Sequence, residues 1–458
     1  MQELQGRLRY PLSAQLTMCC VNEAAGQDMD RYIMPMALRI KGTLDSAALQ
    51  GALDDVVVRH ESLRTVITSP AQDGGDGHQS VLPPAPVPFT QHRLETGPDK
   101  SREDLAEELL ADLYTQTMSR NHSPLLRAAL YRFDDRDAVL TLVTHHIAGD
   151  AWSAGVLRRD LAAFYQARTA GTAPALPPVR QYGEYATWQQ RTLNEAKARA
   201  TRAYWAGHLA GAAVFAPPAD RLPADRPSAD RPFAAPGEAP YGTLTFDLTP
   251  GEMAAVRARA KAERASTWHV LVAAGALLAN GLTGTSDPAL MTVRAPRDHP
   301  TFLDTIGNFV DALPLRVDLD GCATLRDVLL SARTTCLQAY RHPMPNNELE
   351  RRMPAFMRPN EQPGNVPLFF NYLRPLPGPD EIPFAEGAER VTFREEIPFD
   401  RGGRCIWGMW ELSSGGLMGQ LEYPPDRLEA GTVERWTGDF RDLVLRIAQT
   451  PDQPWRDN

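Results

Sequence analysis

Apolar positions in this chain recur with two periods, and the switches between them outline its elements. Tyr32–Gly42, YIMPMALRIKG, reads as a strand. Leu44–His60, LDSAALQGALDDVVVRH, reads as a helix with Leu49, Leu53, Val56 and Val57 on one face and Asp45 placed to cap it. A similar unit returns about two hundred residues later. There Tyr241–Leu248, YGTLTFDL, alternates as a strand, and Thr249–Arg264 opens a helix with Pro250 in its first turn and Glu252 closing a capping box on Thr249. With a single recurrence, the pattern predicts two related halves and not a solenoid. Between them, Thr169–Gly183 and Ala216–Gly242 are rich in Pro, Ala and Asp, which disfavours helix interiors and central strands. They bracket one helical piece, Glu184–Leu209. The predicted organisation is a first subdomain over residues 1–175, a crossover and linker over 176–240, and a second subdomain over 241–458.

The most informative stretch is Val139–Leu161, VLTLVTHHIAGDAWSAGVLRRDL. Ala138–Thr144 is short, apolar and β-branched, as in a buried strand, whereas Trp152, Val156, Leu157, Leu161, Phe164 and Tyr165 share one face of a following helix. His145 and His146 therefore stand at a strand-to-helix junction. Side chains of adjacent strand residues point to opposite faces, so one histidine is a reactive candidate and the other a packing residue. A hydrogen-bonded core pair is the plain alternative. A neutral imidazole, with a reference pKa of about 6.5, suits proton transfer during acyl transfer, an effect worth ~10²–10⁴ in rate. A metal site is disfavoured, because no third ligand accompanies the pair. Asp150 either caps the helix, pairs with a distant arginine, or does both, since a carboxylate has several acceptor sites.

Bulk properties narrow the classes. Single cores seldom grow past about 250–300 residues, so 458 residues predict two domains. A charged fraction of 23% with 43% hydrophobic residues is that of a folded globular protein. A formal charge of −9 argues against nucleic acid as a partner. Cys19, Cys20, Cys322, Cys336 and Cys405 form no Cys-x-x-Cys pair and read as reduced thiols. The opening MQELQGRLRY lacks a charged leader with an apolar core, and the longest apolar window, Trp268–Leu282, is too short to cross a bilayer and is interrupted by His269 and Asn280. A cytoplasmic protein without a membrane partner is expected. Trp188, Trp268, Trp407 and Trp410 read as core or interface aromatics.

The segment HHIAGDAWS, His145–Ser153, resembles the His-His-x-x-x-Asp-Gly motif of nonribosomal peptide synthetase condensation domains, relatives of chloramphenicol acetyltransferase. Its ordered company strengthens the resemblance: PLSAQLTM at Pro11–Met18, RHESLRTVI at Arg59–Ile67, YGEYATWQQ at Tyr182–Gln190 and LPADRP at Leu222–Pro227. Then follow IGNFVDALPLR at Ile306–Arg316, VPLFFNYL at Val366–Leu373 and GQLEYPPDRLEAGTVERW at Gly419–Trp436. The resemblance implies an α/β fold, an α+β sandwich built as a V-shaped pseudo-dimer of two acetyltransferase-like subdomains. Because it covers nearly the whole chain, it implies a free-standing condensation enzyme, or one excised from a longer synthetase.

It also implies chemistry. A donor acyl or aminoacyl group arrives as a thioester on the phosphopantetheine arm of an acyl or peptidyl carrier protein, entering a tunnel between the halves. A small-molecule or carrier-bound amine or hydroxyl attacks it, and no cofactor is bound permanently. His146 takes the catalytic place, His145 a structural one, and Asp150 pairs with Arg297, ten residues before Gly307. The N–H of Gly149 is a candidate oxyanion donor. The sequence departs from the motif at Ala151, where the family has glycine, at Val310-Asp311-Ala312 in place of Val-Asn-Thr, and at the first motif's end, TMCC. Arg59 and Arg64 read as structural, and Leu349–Arg358, LERRMPAFMR, as a solvated basic face or a surface for an acidic carrier protein. The order Ala151-Trp152-Ser153 disfavours an epimerase, and histidines where that subfamily has aspartate disfavour heterocyclisation. Rival readings are a coenzyme A-dependent acyltransferase of the same fold and a non-catalytic recruitment module.

Overall fold

Asp137–His145 is buried at every position, and this apolar strand anchors the first of two compact units. The computed structural model of the chain describes residues 8–456 except 25, 27, 96, 98, 99, 194, 195, 223–240, 296, 298, 374–386, 391–403 and 413. The first unit is Met1–Asn194 with Ala295–Val310 and Leu376–Ile397. Its strands are β1 (Arg9–Pro11), β2 (Ile33–Lys41), β3 (Thr65–Thr68), β4 (His78–Val81), β5 (Phe89–Arg93), β6 (Leu126–Asp134) and β7 (Asp137–His145). Its helices are α1 (Ala14–Ala24), α2 (Ser46–Arg59), α3 (Pro70–Asp73), α4 (Arg102–Tyr114), α5 (Ala151–Ala170) and α6 (Tyr182–Leu193).

The main sheet of this unit runs β2-β7-β6-β5, with the later strand β12 (Gly387–Arg390) antiparallel on the outer edge of β2. A small antiparallel sheet has the order β1-β4-β3. The antiparallel pairing of β2 with β7 runs in register from Lys41 opposite Asp137 to Ile33 opposite His145. That register sets the residue just before β2 beside the one just after β7. Asp45 caps α2, its Oδ1 accepting from the N–H groups of Ala47 and Ala48 at 2.8 and 3.0 Å. The α2 face Leu49, Leu53, Val56 and Val57 is buried, and α2 packs along α5.

The second unit comprises Glu195–Arg294, Asp311–Pro375 and Pro398–Asn458. It contains α7 (Ala196–His208), β8 (Gly242–Leu248), α8 (Pro250–Ala262), α9 (Thr267–Thr283), β9 (Ala289–Arg294), β10 (Asp311–Arg316) and α10 (Leu325–Arg341). It continues with α11 (Asn346–Arg352), α12 (Pro354–Met357), β11 (Leu368–Leu373), β13 (Cys405–Glu411), β14 (Leu417–Tyr423) and α13 (Ala430–Gln449). Its sheet has the order β10-β9-β11-β13-β14-β8, with β11 parallel to both neighbours and the other pairs antiparallel. The Thr249–Glu252 capping box starts α8. Phe370, Trp407 and Phe440 pack ring against ring, with centroids 4.8 to 5.8 Å apart. Trp205 anchors α7 by donating its Nε1–H to the His342 carbonyl at 2.7 Å. In the basic run Leu349–Arg358, Arg351 and Arg352 pair with Glu348, and Phe356 is buried.

Both units mix helices with sheet, as an α/β chain should. The expected contiguous division differs from the observed one: the first unit reaches Asn194, and Ala295–Val310 returns to it. The physical reason is local burial, since Phe302, Ile306 and Phe309 complete the core around Tyr182 and Tyr185. The piece Glu184–Leu209, expected as one helix, is α6 and α7, which belong to different units. Within the expected linker, residues 223–240, including most of the LPADRP motif, lie outside the described residues. Among the described residues no single helix is long and apolar enough to cross a membrane; the bent pair α8 and α9 meets the length and composition together.

Arg59 and Arg64 hold the fold. Arg64 donates to the Val57 and Leu82 carbonyls, while Arg59 Nε and His60 Nε2 both reach Asp160 Oδ2 at 2.8 Å. Arg159 adds a third donor on Oδ1, so a fully buried carboxylate of α5 ties down the C-terminal end of α2. Asp160→Ala leaves buried His60 without its acceptor and Arg59 with only the Pro177 carbonyl, and should lower the unfolding free energy by about 1–3 kcal/mol. Urea unfolding with an unchanged midpoint would contradict this.

Candidate active site

The site is built at the point where β7 stops. His145, its last residue, is completely buried, and both ring nitrogens are used. Nδ1 accepts the Ile147 N–H at 3.1 Å, which leaves the proton on Nε2 to donate to the Met29 carbonyl at 2.9 Å. Burial lowers its pKa to about 4, against the smaller opposing effect of the Met29 carbonyl. This neutral imidazole is a fixed part of the core.

His146 begins the turn that follows. Its backbone N–H continues the antiparallel ladder by donating to the Tyr32 carbonyl at 2.7 Å. Its ring lies flat on that of Tyr32, with centroids 4.3 Å apart and planes 7° from parallel. Unlike His145 it is only partly buried. The turn closes through Ala148 N–H to the His145 carbonyl at 2.9 Å and Gly149 N–H to the His146 carbonyl at 3.4 Å. Gly149 N–H is thus directed back into the turn.

Asp150 then caps α5, and it has no exposed surface. Its Oδ1 accepts from Ser153 N–H at 2.7 Å and Arg297 Nη2 at 2.9 Å, while Oδ2 accepts from Arg297 Nη1 and from Phe309 N–H, both at 3.1 Å. The Ser153 hydroxyl lies 2.8 Å from Asp150 Oδ1 and 2.9 Å from the Gly307 carbonyl, and it accepts from Arg297 Nη2 and Gly307 N–H. Capping and ion pairing are therefore simultaneous. The Arg297 guanidinium also sits over the Phe309 ring at 4.2 Å and the Trp152 ring at 5.4 Å. Trp152 is held in turn by Nε1–H donation to the Leu303 carbonyl at 2.8 Å.

Gly307 shows why IGNFV needs its glycine. A Cβ there would stand 2.0 Å from Tyr182 Cδ2, and Tyr182 hydroxyl spans Ser13 Oγ and the Asn308 carbonyl. Three of the sequence motifs thus converge on one buried patch. Ala151, by contrast, is an exposed first residue of α5 and has no positive φ, so the glycine it replaces is not required by the backbone here. Asp311 belongs to the second unit, where it lies opposite Arg294 on β9. Sequence reasoning missed Tyr32, Met29, Ser153 and Phe309. The only signal for Tyr32 is its place at the mouth of the strand that pairs with β7.

Comparison with known proteins places this geometry in context. A family model described as Condensation domain matches residues 9–458. The chain is 33% identical over 435 residues to the probable non-canonical nonribosomal peptide synthetase CymA of Salinispora arenicola, covering 92% of this chain and 5% of that protein. It is 30% identical over 447 residues to the isonitrile lipopeptide synthase of Mycobacterium tuberculosis, with coverage of 92% and 16%. The chain therefore spans a small part of these relatives. Among solved structures, SgcC5 of Streptomyces globisporus, in complex with (R)-(-)-1-(2-naphthyl)-1,2-ethanediol and sucrose, has a TM-score of 0.83 at 29% identity, covering 97% of this chain and 100% of that one. The X-domain from teicoplanin biosynthesis has a TM-score of 0.75 at 25% identity, covering 98% and 96%.

Two outcomes follow for stability. Arg297→Ala strands a carboxylate with no exposed surface and should cost about 3–5 kcal/mol. Arg297→Lys should recover little of this, because an ammonium cannot reproduce the two-pronged contact; full recovery in chemical unfolding would refute the bidentate account. The second outcome concerns pH. The folded-state pKa of His145, about 4, lies below its ordinary value of 6.5, so the unfolded chain takes up the proton first. Its contribution is complete above pH about 6.5 and is lost as pH falls toward 4, by about 3 kcal/mol in all. Unfolding free energies of wild type and His145→Gln should therefore converge over this window, and parallel pH curves would contradict the assignment.

Proposed function

This chain belongs to the condensation-domain family, and we propose that it transfers an acyl or aminoacyl group from a carrier protein's phosphopantetheine thioester to an amine or hydroxyl acceptor. The observation that carries the reading is the division between the two histidines. His145 commits both ring nitrogens to the fold, whereas His146 has its backbone fixed and its ring held against Tyr32 in a partly open position. An imidazole so placed can handle a proton without leaving the scaffold.

The acceptor nitrogen or oxygen attacks the thioester carbonyl, and His146 takes the proton the nucleophile loses. The tetrahedral centre collapses with cleavage of the carbon–sulfur bond, and the proton passes to the departing thiolate. Amide or ester and free phosphopantetheine thiol result. Holding both reactants contributes much of the acceleration, about 7–11 kcal/mol in well-ordered systems. Asp150 and Arg297 act on the turn, fixing the start of α5 relative to His146. An oxyanion role for Gly149 N–H requires its 3.4 Å bond to the His146 carbonyl to open. Transfer is direct: burial pushes the Cys19 thiol up to about 12, and Ser153 is engaged by Asp150 and Gly307, so neither competes as nucleophile.

The synthetase relatives favour an amine acceptor and peptide product. The aryl diol bound to SgcC5, whose full length this chain covers, favours a second reading in which a free hydroxyl compound is the acceptor and an ester the product. Intact-mass analysis of a panel of acyl- and aminoacyl-loaded carrier proteins, incubated with small amines and aryl diols, separates them. Parallel reactions with the coenzyme A thioesters test whether a carrier is needed; equal turnover there would replace the carrier-dependent reading. His146→Ala should lower product formation by at least about 10²-fold in a folded protein, and undiminished turnover would reject the mechanism.

A further inference from the structure

Both histidines are fastened to one short stretch, the 3₁₀ segment Met29–Arg31 and its C-cap Tyr32. The Met29 carbonyl accepts His145 Nε2–H at 2.9 Å and also closes the turn by accepting Tyr32 N–H at 3.0 Å. The turn is pinned further by Asp28, whose Oδ1 accepts Asp30 N–H at 3.2 Å, and by Met118 N–H, which donates to the Asp30 carbonyl at 2.7 Å. Met29 itself is buried. From this anchored turn Tyr32 emerges with 39% of its surface exposed, its carbonyl on the His146 N–H and its ring flat against the imidazole.

The parallel stack, 7° from flat, joins two residues whose backbone is fixed on both sides. The ladder bond fixes it on the His146 side, and the His145–Met29 bond on the Tyr32 side. We propose that Tyr32 is a positioning residue for His146, its ring setting the orientation of the imidazole, and that His145 acts on His146 by holding the turn from which Tyr32 projects. The proposal rests on His146 as the reacting imidazole. It assigns the work to the flat face of Tyr32. Tyr32 lies outside the quoted motifs, which explains why motif reading passes over it. It also supplies a physical reason for the first histidine, whose ring is sealed from the reactants yet tied through one carbonyl to the neighbour of the second.

The test uses the full chain labelled with ¹³C-histidine, with the His146 ring signals assigned from His146→Ala. Stacking shields the imidazole protons, so wild type and Tyr32→Phe should show them upfield, and Tyr32→Leu should move them downfield. With the carrier and acceptor pair that gives most product in the mass panel, Tyr32→Leu should lower kcat about 10- to 100-fold, the scale of a modest misplacement. KM for the acceptor should change less than about twofold, so the loss falls on the chemical step. Tyr32→Phe should restore kcat, and the unfolding temperature should shift by less than about 2 °C in either variant. Unmoved His146 resonances in Tyr32→Leu, or full kcat there while His146→Ala is inactive, would overturn the proposal. An active His146→Ala would instead overturn the proposed function, and the resonances would still decide whether Tyr32 orients the ring.

Discussion

A carboxylate with no exposed surface is the constraint on which the site depends. The oxygens of Asp150 collect a bidentate guanidinium, two N–H groups and a hydroxyl, and such groups together offset the loss of water. The donors come from three residues with different places in the fold. Ser153 belongs to the first turn of α5, Phe309 to the IGNFV loop, and Arg297 to the segment that leads into it. Compensating one buried carboxylate thus ties the start of α5 to Ala295–Val310 within the first unit.

The same economy appears at the two histidines. A strand must end somewhere, and here the antiparallel register of β2 and β7 ends at Ile33 opposite His145. The next rung is made by His146 and Tyr32 with a single hydrogen bond and a ring stack. Burial selects the neutral form of His145 and commits it to the scaffold. Two adjacent residues of one type thereby acquire different chemistry from a step of one position along the strand.

A second buried carboxylate, Asp160, lies two and a half to three turns further along α5 by helical spacing, about 15 Å from Asp150. Its partners Arg59 and His60 come from the RHESLRTVI segment. RHESLRTVI, like IGNFV, thus serves to satisfy polar groups inside the unit. Tyr182, Gly307 and Ser13 illustrate it: a hydroxyl spans two elements, and a glycine leaves room for the ring that carries it.

Periodicity and capping chemistry were sufficient for the helices α2 and α8 and the strands β2, β7 and β8, because local preference and burial agree there. Asp45 and Thr249 cap where their side chains can reach free N–H groups. The strand-to-helix junction, and the opposite fates of His145 and His146, also follow from alternation along a strand. The pairing of Asp150 with Arg297 came from likeness to a known motif; no local rule links residues 147 positions apart. Tertiary structure alone decided the return of Ala295–Val310 to the first unit and the seat of Tyr32 on His146. The first depends on packing around Tyr182 and Tyr185 and the second on the register in which β2 meets β7, choices made by the whole core and not by any short stretch of chain.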